Sequence, residues 1–383
     1  MRCCMLVNTI SPHQMPFATE VARRLGPENF RYVAIGEEHP ERAALGWGVA
    51  SLPDWVHGGT GAADACAANA DWLEHADILL TGDRRFDLFG RRSSRSLATF
   101  YMSERWLKPP VGIMRRLSPS YRRMCGRFRV AMASPFVRYL AIGGWAANDI
   151  RRATGVVDGI HAWAFFVEQS PEPAPLRQRQ GRPLEVLWVG RMLRLKRVDT
   201  LIRAVTRLAA GGRDLRLMLA GRGPDEPRLR RLAASLQGSA ERGPVTFRGP
   251  VPIAEVRGLM RAADVYVLPS NGCEGWGAVV NEAMIEGCAV VASRQAGAGM
   301  TLVEDGLNGL VFDSGSVAQL EAALAKVVAD EPLRQRLAAA GQRTVRECWS
   351  PAVAAERFVE AAGCVRRGRP VPDYPSGPLR RLG

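Results

Sequence analysis

The sequence predicts an α/β protein made of two doubly wound units, each a parallel sheet covered by helices on both faces. Three observations predict it. Short buried runs alternate with amphipathic helical stretches twice over, a proline-rich break separates the two series, and runs of the second series end in glycine-bearing turns. The 383 residues suffice for two domains of ordinary size, and 47% hydrophobic residues is normal for a folded, soluble chain.

In the first series, Cys3 to Asn8 reads as a buried strand, and Phe17, Val21 and Leu25 recur at helical spacing across Pro16 to Leu25. Further strands are expected at Phe30 to Ile35, Ile78 to Thr81, Leu97 to Met102, Val137 to Ile142 and Ile160 to Val167. Ligands of such sheets bind beyond the carboxyl ends of the strands. The connection from Thr9 to Met15 is one such place, and His13 is its one ionisable residue. Ser103 and Glu104, at the end of another strand, are a second.

The break starts at Gln169-Ser170-Pro171-Glu172-Pro173-Ala174-Pro175, and a linker is expected over 169–183 between domains at 1–168 and 184–348. In the second series Leu184 to Val189 is a strand. A helix follows with Val198, Leu201, Ile202, Val205 and Leu208 on one face. Strands come next at Leu215 to Leu219, Val245 to Phe247 and Val265 to Leu268, with Gly221-Arg222-Gly223-Pro224 as a loop and a helix from Ile253. A helix over 349–364, returning to the first domain, is expected to be the last element. The stretch 365–383, rich in Arg, Pro and Gly, is expected to be mobile.

A formal net charge of +14 points to an anionic partner: nucleic acid, an acidic lipid surface or a phosphorylated substrate. Twelve arginines crowd the stretch from Arg84 to Arg129, interleaved with Phe86, Phe89, Trp106, Met114, Leu117 and Tyr121. That stretch reads either as a solvated basic face or as a surface for an anionic membrane. No helix-turn-helix, zinc-finger or RNP-like pattern supports a nucleic-acid role. Eight cysteines include no C-x-x-C pair, which fits a reducing cytoplasm. No apolar run approaches the roughly 18 residues of a membrane span, and no signal-peptide pattern opens the chain, so a cytoplasmic location is expected, with peripheral attachment to the inner face of the membrane if the basic stretch is a membrane surface.

Pro269 to Ser293 is the stretch that carries chemistry. Asn271, Gly272, Gly275 and Gly277 break regular structure before a helical face at Val279, Val280, Ala283 and Met284. Glu274 lies before the helix and Glu282 within it, with seven residues between them. Glycines that let the backbone approach, free N–H groups at a helix start and two carboxylates suit a ligand that bears both phosphate and hydroxyl groups. Lys196 is one of only three lysines in an arginine-rich chain, five positions past Gly190-Arg191.

Gly190-Arg191 with Lys196, and Glu274 to Glu282 with Ala283-Met284 and Gly287, together resemble the signature of glycosyltransferase family 4. The similarity runs from about Leu184 to Phe358 and includes Asp305-Gly306, Asn308-Gly309 and a strand from Leu310 to Phe312. The first half departs from the family: Ser11-Pro12-His13-Gln14-Met15-Pro16 stands where a Gly-Gly-x-Gly loop is common, and no histidine occurs near Tyr101 to Arg105. The resemblance implies the GT-B fold, two Rossmann-like domains facing across a cleft, and retaining transfer of a sugar from a nucleotide diphosphate sugar to a saccharide or lipid-linked acceptor. It implies a donor site of Gly190, Arg191, Lys196, Glu274, Gly275, Trp276, Gly277, Ala278 and Glu282. In that site Arg191 and Lys196 stabilise the leaving diphosphate, Glu274 takes the sugar hydroxyls and Glu282 the ribose. His13, Ser103 and Glu104 become the acceptor-side candidates. No Asp-x-Asp occurs, so no metal and no cofactor are expected. Two other readings stay open. A sugar-nucleotide epimerase or hydrolase would share the layout, and a basic nucleic-acid binder would explain the charge but not the donor signature. A nicotinamide dehydrogenase is excluded by the lack of G-x-G-x-x-G after either opening strand.

Overall fold

A computed structural model describes residues 1–36, 51–58, 62–110, 112–178, 181–237 and 243–383. It divides into two compact units: Met1–Glu168 with Cys348–Gly383, and Gln169–Glu347.

The strands of the first unit are β1 (Cys3–Val7), β2 (Phe30–Ala34), β3 (Val56–His57), β4 (Ile78–Thr81), β5 (Ala98–Ser103), β6 (Val137–Ile142) and β7 (Ile160–Trp163). Its helices are α1 (Met15–Leu25), α2 (Ala62–Ala68), α3 (Ala70–His75), α4 (Phe86–Ser93), α5 (Pro119–Met132) and α6 (Gly144–Thr154). The sheet is parallel, in the order β3-β2-β1-β4-β5-β6-β7. Every residue of β1 is buried, as a strand covered on both faces requires. The switch in strand order falls between β1 and β4, so the loop carrying His13 lies where a doubly wound sheet opens.

β7 is shorter than the expected run to Val167. Phe166 and Val167 remain buried, but the Phe166 N–H donates to the His13 carbonyl at 3.2 Å and not to a strand ladder. Arg92 also departs from expectation. It is not on a basic face but fully buried, and its guanidinium donates to the carbonyls of Leu73, Ala76 and Ala98 and to Thr99 Oγ1 at 2.8 to 3.1 Å. Burial brings its pKa down to about 10.

The second unit contains β8 (Leu184–Val189), β9 (Leu215–Ala220), β10 (Val245–Gly249), β11 (Val265–Leu268), β12 (Ala289–Ser293) and β13 (Leu310–Phe312), in the order β10-β9-β8-β11-β12-β13. Its helices are α7 (Val198–Ala210), α8 (Glu226–Gln237), α9 (Ile253–Ala262), α10 (Val279–Ile285), α11 (Gly297–Thr301), α12 (Val317–Ala329) and α13 (Glu331–Arg343). The expected face of α7, Val198 to Leu208, is buried in the core of this unit with Leu217, Leu219 and Val291. Ser316 and Asp330 cap α12 and α13 by accepting from the N–H groups of Gln319 and Leu333. Residues 179 and 180 of the expected linker lie outside the described residues; the preceding stretch is held to this unit by Arg346, which donates to the carbonyls of Ser170 and Pro171 at 3.0 and 2.7 Å.

A last helix, α14 (Pro351–Arg366), packs on α1 in the first unit. The tail after it is paired with the sheet of the first unit. It runs antiparallel along β7, with Leu379 N–H donating to Ala162 O at 2.8 Å, Ala162 N–H to Arg380 O at 2.9 Å and Leu382 N–H to Ile160 O at 3.0 Å. Leu379 is fully buried, and the edge of β7 supplies backbone partners that a run rich in Arg, Pro and Gly does not announce.

His161, on β7, is buried, and its Nδ1 lies 3.1 Å from the Leu379 carbonyl. Burial lowers its pKa from 6.5 to about 4. Below pH 6.5 the unfolded chain binds a proton that the native imidazole refuses, so stability falls as pH drops from about 6.5 to about 4, by about 3 kcal/mol in all. Urea unfolding of the first unit from pH 7 to 4 should show this loss, and His161→Gln should remove most of it.

Candidate functional site

The second sheet has its topological switch between β8 and β11, where Val186 pairs with Val265 and Leu187 with Tyr266. The loops after these two strands therefore border the crevice of this unit. The β8 loop carries Gly190, Arg191 and Lys196; the β11 loop carries Glu274 to Ala278. Backbone bonds tie the two: the Asn271 N–H donates to the Leu195 carbonyl at 2.8 Å. The loop after β9 joins them, because Gly221 has φ +126° and a Cβ there would lie 2.0 Å from the Gly190 carbonyl oxygen. Gly277 has φ +93°, which lets the chain turn from Trp276 into α10.

Lys196 and Glu274, 78 positions apart, meet here: the ammonium donates to Glu274 Oε2. Ser270, fully buried, donates from Oγ to the same oxygen at 2.9 Å. Glu274 Oε1 has no protein donor among the described residues. Glu282 sits half-buried on α10. The Tyr266 hydroxyl, 3.4 Å from the Val189 carbonyl, has its pKa pushed well up, first by burial and then by the charges of Glu282 and Glu274. Both carboxylates thus act on the Tyr266 hydroxyl of β11. Arg191 is exposed and makes no ion pair among the described residues. The arrangement offers one exposed cation, a second cation held by a carboxylate, and a second carboxylate on the adjoining helix.

Two expected binding residues sit differently. Trp276 is buried, and its indole N–H donates to Asn281 Oδ1 at 2.9 Å, so the ring supports the loop from within. Gly275 is buried too, with Gly297 packed so closely that a Cβ there would lie 2.0 Å from the Gly275 carbonyl oxygen. Gly190, Gly277 and Ala278 remain half-exposed along the two loops.

Ser270 and Asp225 are absent from the expected set. Asp225 is buried, pairs with Arg228 at 2.6 Å and Arg194 at 3.0 Å, and donates its N–H to the Met192 carbonyl at 3.0 Å, so it fixes the shape of the β8 loop. The Arg228 hydrogen bond, ahead of the remaining charges, holds its carboxyl below the usual range. Ser270 stands four residues before Glu274, within the same loop; Asp225 shows its role only in space.

In the first unit the acceptor-side candidates have separate partners. The His13 N–H donates to Ser11 Oγ at 3.3 Å, on the β1 loop. Ser103 Oγ accepts from the Trp106 indole at 2.9 Å and lies 3.0 Å from the Tyr139 hydroxyl, while Glu104 pairs with Lys108 at 3.0 Å. Among the described residues no group of three or more His, Cys, Asp or Glu side chains is placed to hold a metal, and no helix is long and apolar enough to cross a membrane.

Residues 175–344 match the family model of glycosyl transferases group 1. The chain is 32% identical over 236 residues to the phosphatidyl-myo-inositol mannosyltransferase of Mycolicibacterium smegmatis, covering 61% of this chain and 56% of that protein. It is 40% identical over 187 residues to the D-inositol 3-phosphate glycosyltransferase of Stackebrandtia nassauensis, covering 45% and 41%. It thus spans about half the length of these relatives. Anabaena HepE, solved in complex with UDP, superposes with a TM-score of 0.68 over 95% of this chain and 100% of that one, at 16% identity, a likeness of fold. The segment 175–344 thus carries the group 1 glycosyl transferase signature, and the chain as a whole carries the GT-B fold.

Proposed function

We propose that this protein transfers a sugar, with retention of anomeric configuration, from a nucleotide diphosphate sugar to a saccharide or lipid-linked acceptor. The observation that carries this reading is the meeting of Lys196 and Glu274 at the switch point of the second sheet, beside exposed Arg191 and within the segment that matches group 1. As the bond from the anomeric carbon to the diphosphate breaks, negative charge gathers on the departing phosphate. Arg191 and Lys196 neutralise it, and the acceptor hydroxyl bonds to the anomeric carbon on the face the phosphate leaves, giving its proton to the departing phosphate oxygen. These two cations take the part a metal would otherwise play, so turnover is expected to survive EDTA. Glu274 receives sugar hydroxyls on Oε1, and Glu282 the ribose hydroxyls.

The test is calorimetric titration with UDP-, GDP- and ADP-sugars. One of them should bind, and Glu282→Ala should weaken that binding about 10- to 100-fold, the effect of losing hydrogen bonds to a charged acceptor. Glu274→Gln should keep the fold and blunt discrimination among sugars that share a nucleotide. If none of the donors binds, the donor assignment fails. If nucleoside diphosphate is released at full rate without an acceptor, the chain is an epimerase or hydrolase of the same fold.

A further inference from the structure

The arginines between Arg84 and Arg129 separate into those held by a carboxylate, a ring or the core and those that pair with no carboxylate, among which Arg122 Nε donates to the Arg116 carbonyl at 2.8 Å. Arg92 is buried; Arg91 and Arg95 pair with Glu74, Arg127 with Asp87, Arg105 with Asp149 and Arg85 with Asp83, and Arg84 lies over the Trp106 ring. Arg115, Arg116, Arg122, Arg123 and Arg129 are exposed and pair with no carboxylate among the described residues. They lie together. Arg115 and Arg116 belong to the turn Gly112–Leu117, and the other three stand exposed on α5, Arg122 and Arg129 one turn to either side of the buried Cys125. Three large aliphatic side chains stand among them: Met114 is 61% exposed, Leu117 68% and Val130 75%.

Between this turn, α5 and the end of α6 runs a groove of about 610 Å³, bordered by Arg116, Leu117, Arg122 and Arg129. Gly126 lines it, and a Cβ there would meet nothing within 4 Å. A glycine in the middle of an exposed helix costs about 1 kcal/mol relative to alanine. What it gives in return is an open cradle between three guanidinium groups.

We propose that this surface docks on an anionic bilayer, with the groove receiving a lipid headgroup phosphate and Met114, Leu117 and Val130 entering the interfacial layer. Guanidinium groups bind phosphate oxygens in pairs, and each basic residue near such a surface contributes about 1 kcal/mol. A nucleic-acid backbone would satisfy the same arginines but leaves the exposed aliphatics without a function; a bilayer interface satisfies both. The docking requires no sugar nucleotide, so its test is independent of the glycosyltransferase reading.

The experiment compares two triple variants of equal charge by co-sedimentation with phosphatidylcholine vesicles, with and without phosphatidylglycerol. Wild type should sediment with the anionic vesicles only and be released by salt. R116Q/R122Q/R129Q should lower partition about 100-fold, at about 1 kcal/mol per residue. R91Q/R95Q/R127Q, which removes three paired arginines, should change it less than about 10-fold, and both should melt with wild type, since exposed ion pairs contribute little. Leu117→Ser should weaken partition without altering binding to a short DNA duplex. Equal losses in the two triples would reduce the effect to net charge and overturn the proposal, as would a wild type that ignores anionic vesicles at low salt. Duplex binding that depends on Arg116, Arg122 and Arg129, with no vesicle binding, would overturn it in favour of nucleic acid.

Discussion

Lys196→Ala is expected to lower turnover by about two to three orders of magnitude while leaving the melting temperature unchanged. The charge that Lys196 meets grows only as the diphosphate departs, so its loss falls on kcat more than on donor affinity. Arg191→Ala should act in the same sense. Lys196 has a second role that sharpens the test. In the free protein its ammonium neutralises Glu274, and alanine leaves that carboxylate held by Ser270 alone, beside the place of the diphosphate. Donor affinity of Lys196→Ala should therefore fall somewhat, and adding Glu274→Gln should restore it, a coupling that a double-mutant cycle measures. Wild-type turnover in Lys196→Ala, or strictly additive effects on affinity, would remove Lys196 and Glu274 from the donor site.

Arg92→Leu is expected to unfold the first unit or leave it barely stable. The substitution fills space but gives nothing to the carbonyls of Leu73, Ala76 and Ala98 or to Thr99, all of which receive a hydrogen bond from the one guanidinium. Each hydrogen bond lost from a charged donor costs about 1.5 to 3 kcal/mol, and four of them equal the whole stability of an ordinary domain. Arg92→Lys should recover only part, because one ammonium cannot reach four acceptors from the plane of a fork. Loss of near-ultraviolet circular dichroism, or a melting temperature lowered by tens of degrees, is the readout. A variant that melts within a few degrees of wild type would show that water replaces the guanidinium.

Arg92 also marks the limit of what sequence could tell. Periodicity located most strands to within a residue or two: Ile78–Thr81, Val137–Ile142, Leu184–Val189 and Val265–Leu268 stand where the apolar runs stand. Local pattern fixes strands because each is a short buried run between turns. Composition was a poorer guide to surfaces. It placed Arg92 with its exposed neighbours because a buried arginine is rare and its acceptors come from α3, β5 and the residues before β4, which no local window joins. In the candidate site, Lys196 and Glu274 stood out by scarcity and spacing, and the structure brings them together. Trp276 looked like part of the same binding run, but only three dimensions show its indole satisfied by Asn281 and its ring turned inward. Asp225 escaped notice because its action on the β8 loop passes through Arg194 and a backbone bond to Met192.

The pairing of the tail with β7 bears on how this chain folds as it is made. The first unit is assembled from two separated stretches, and the second unit is one uninterrupted stretch between them. A ribosome therefore releases β1 to β7 long before it releases α14 and the residues around Leu379 that cover Phe17 and the outer edge of β7. Until then the edge strand Ile160–Trp163 presents unpaired N–H and C=O groups to any other nascent chain, and α1 lacks its apolar partner. The second unit meets no such delay, since all its strands and helices have emerged by Glu347. The domain synthesised first is thus the one completed last, and slow translation or a stall between Gln169 and Glu347 prolongs the interval in which its sheet can pair with a neighbour.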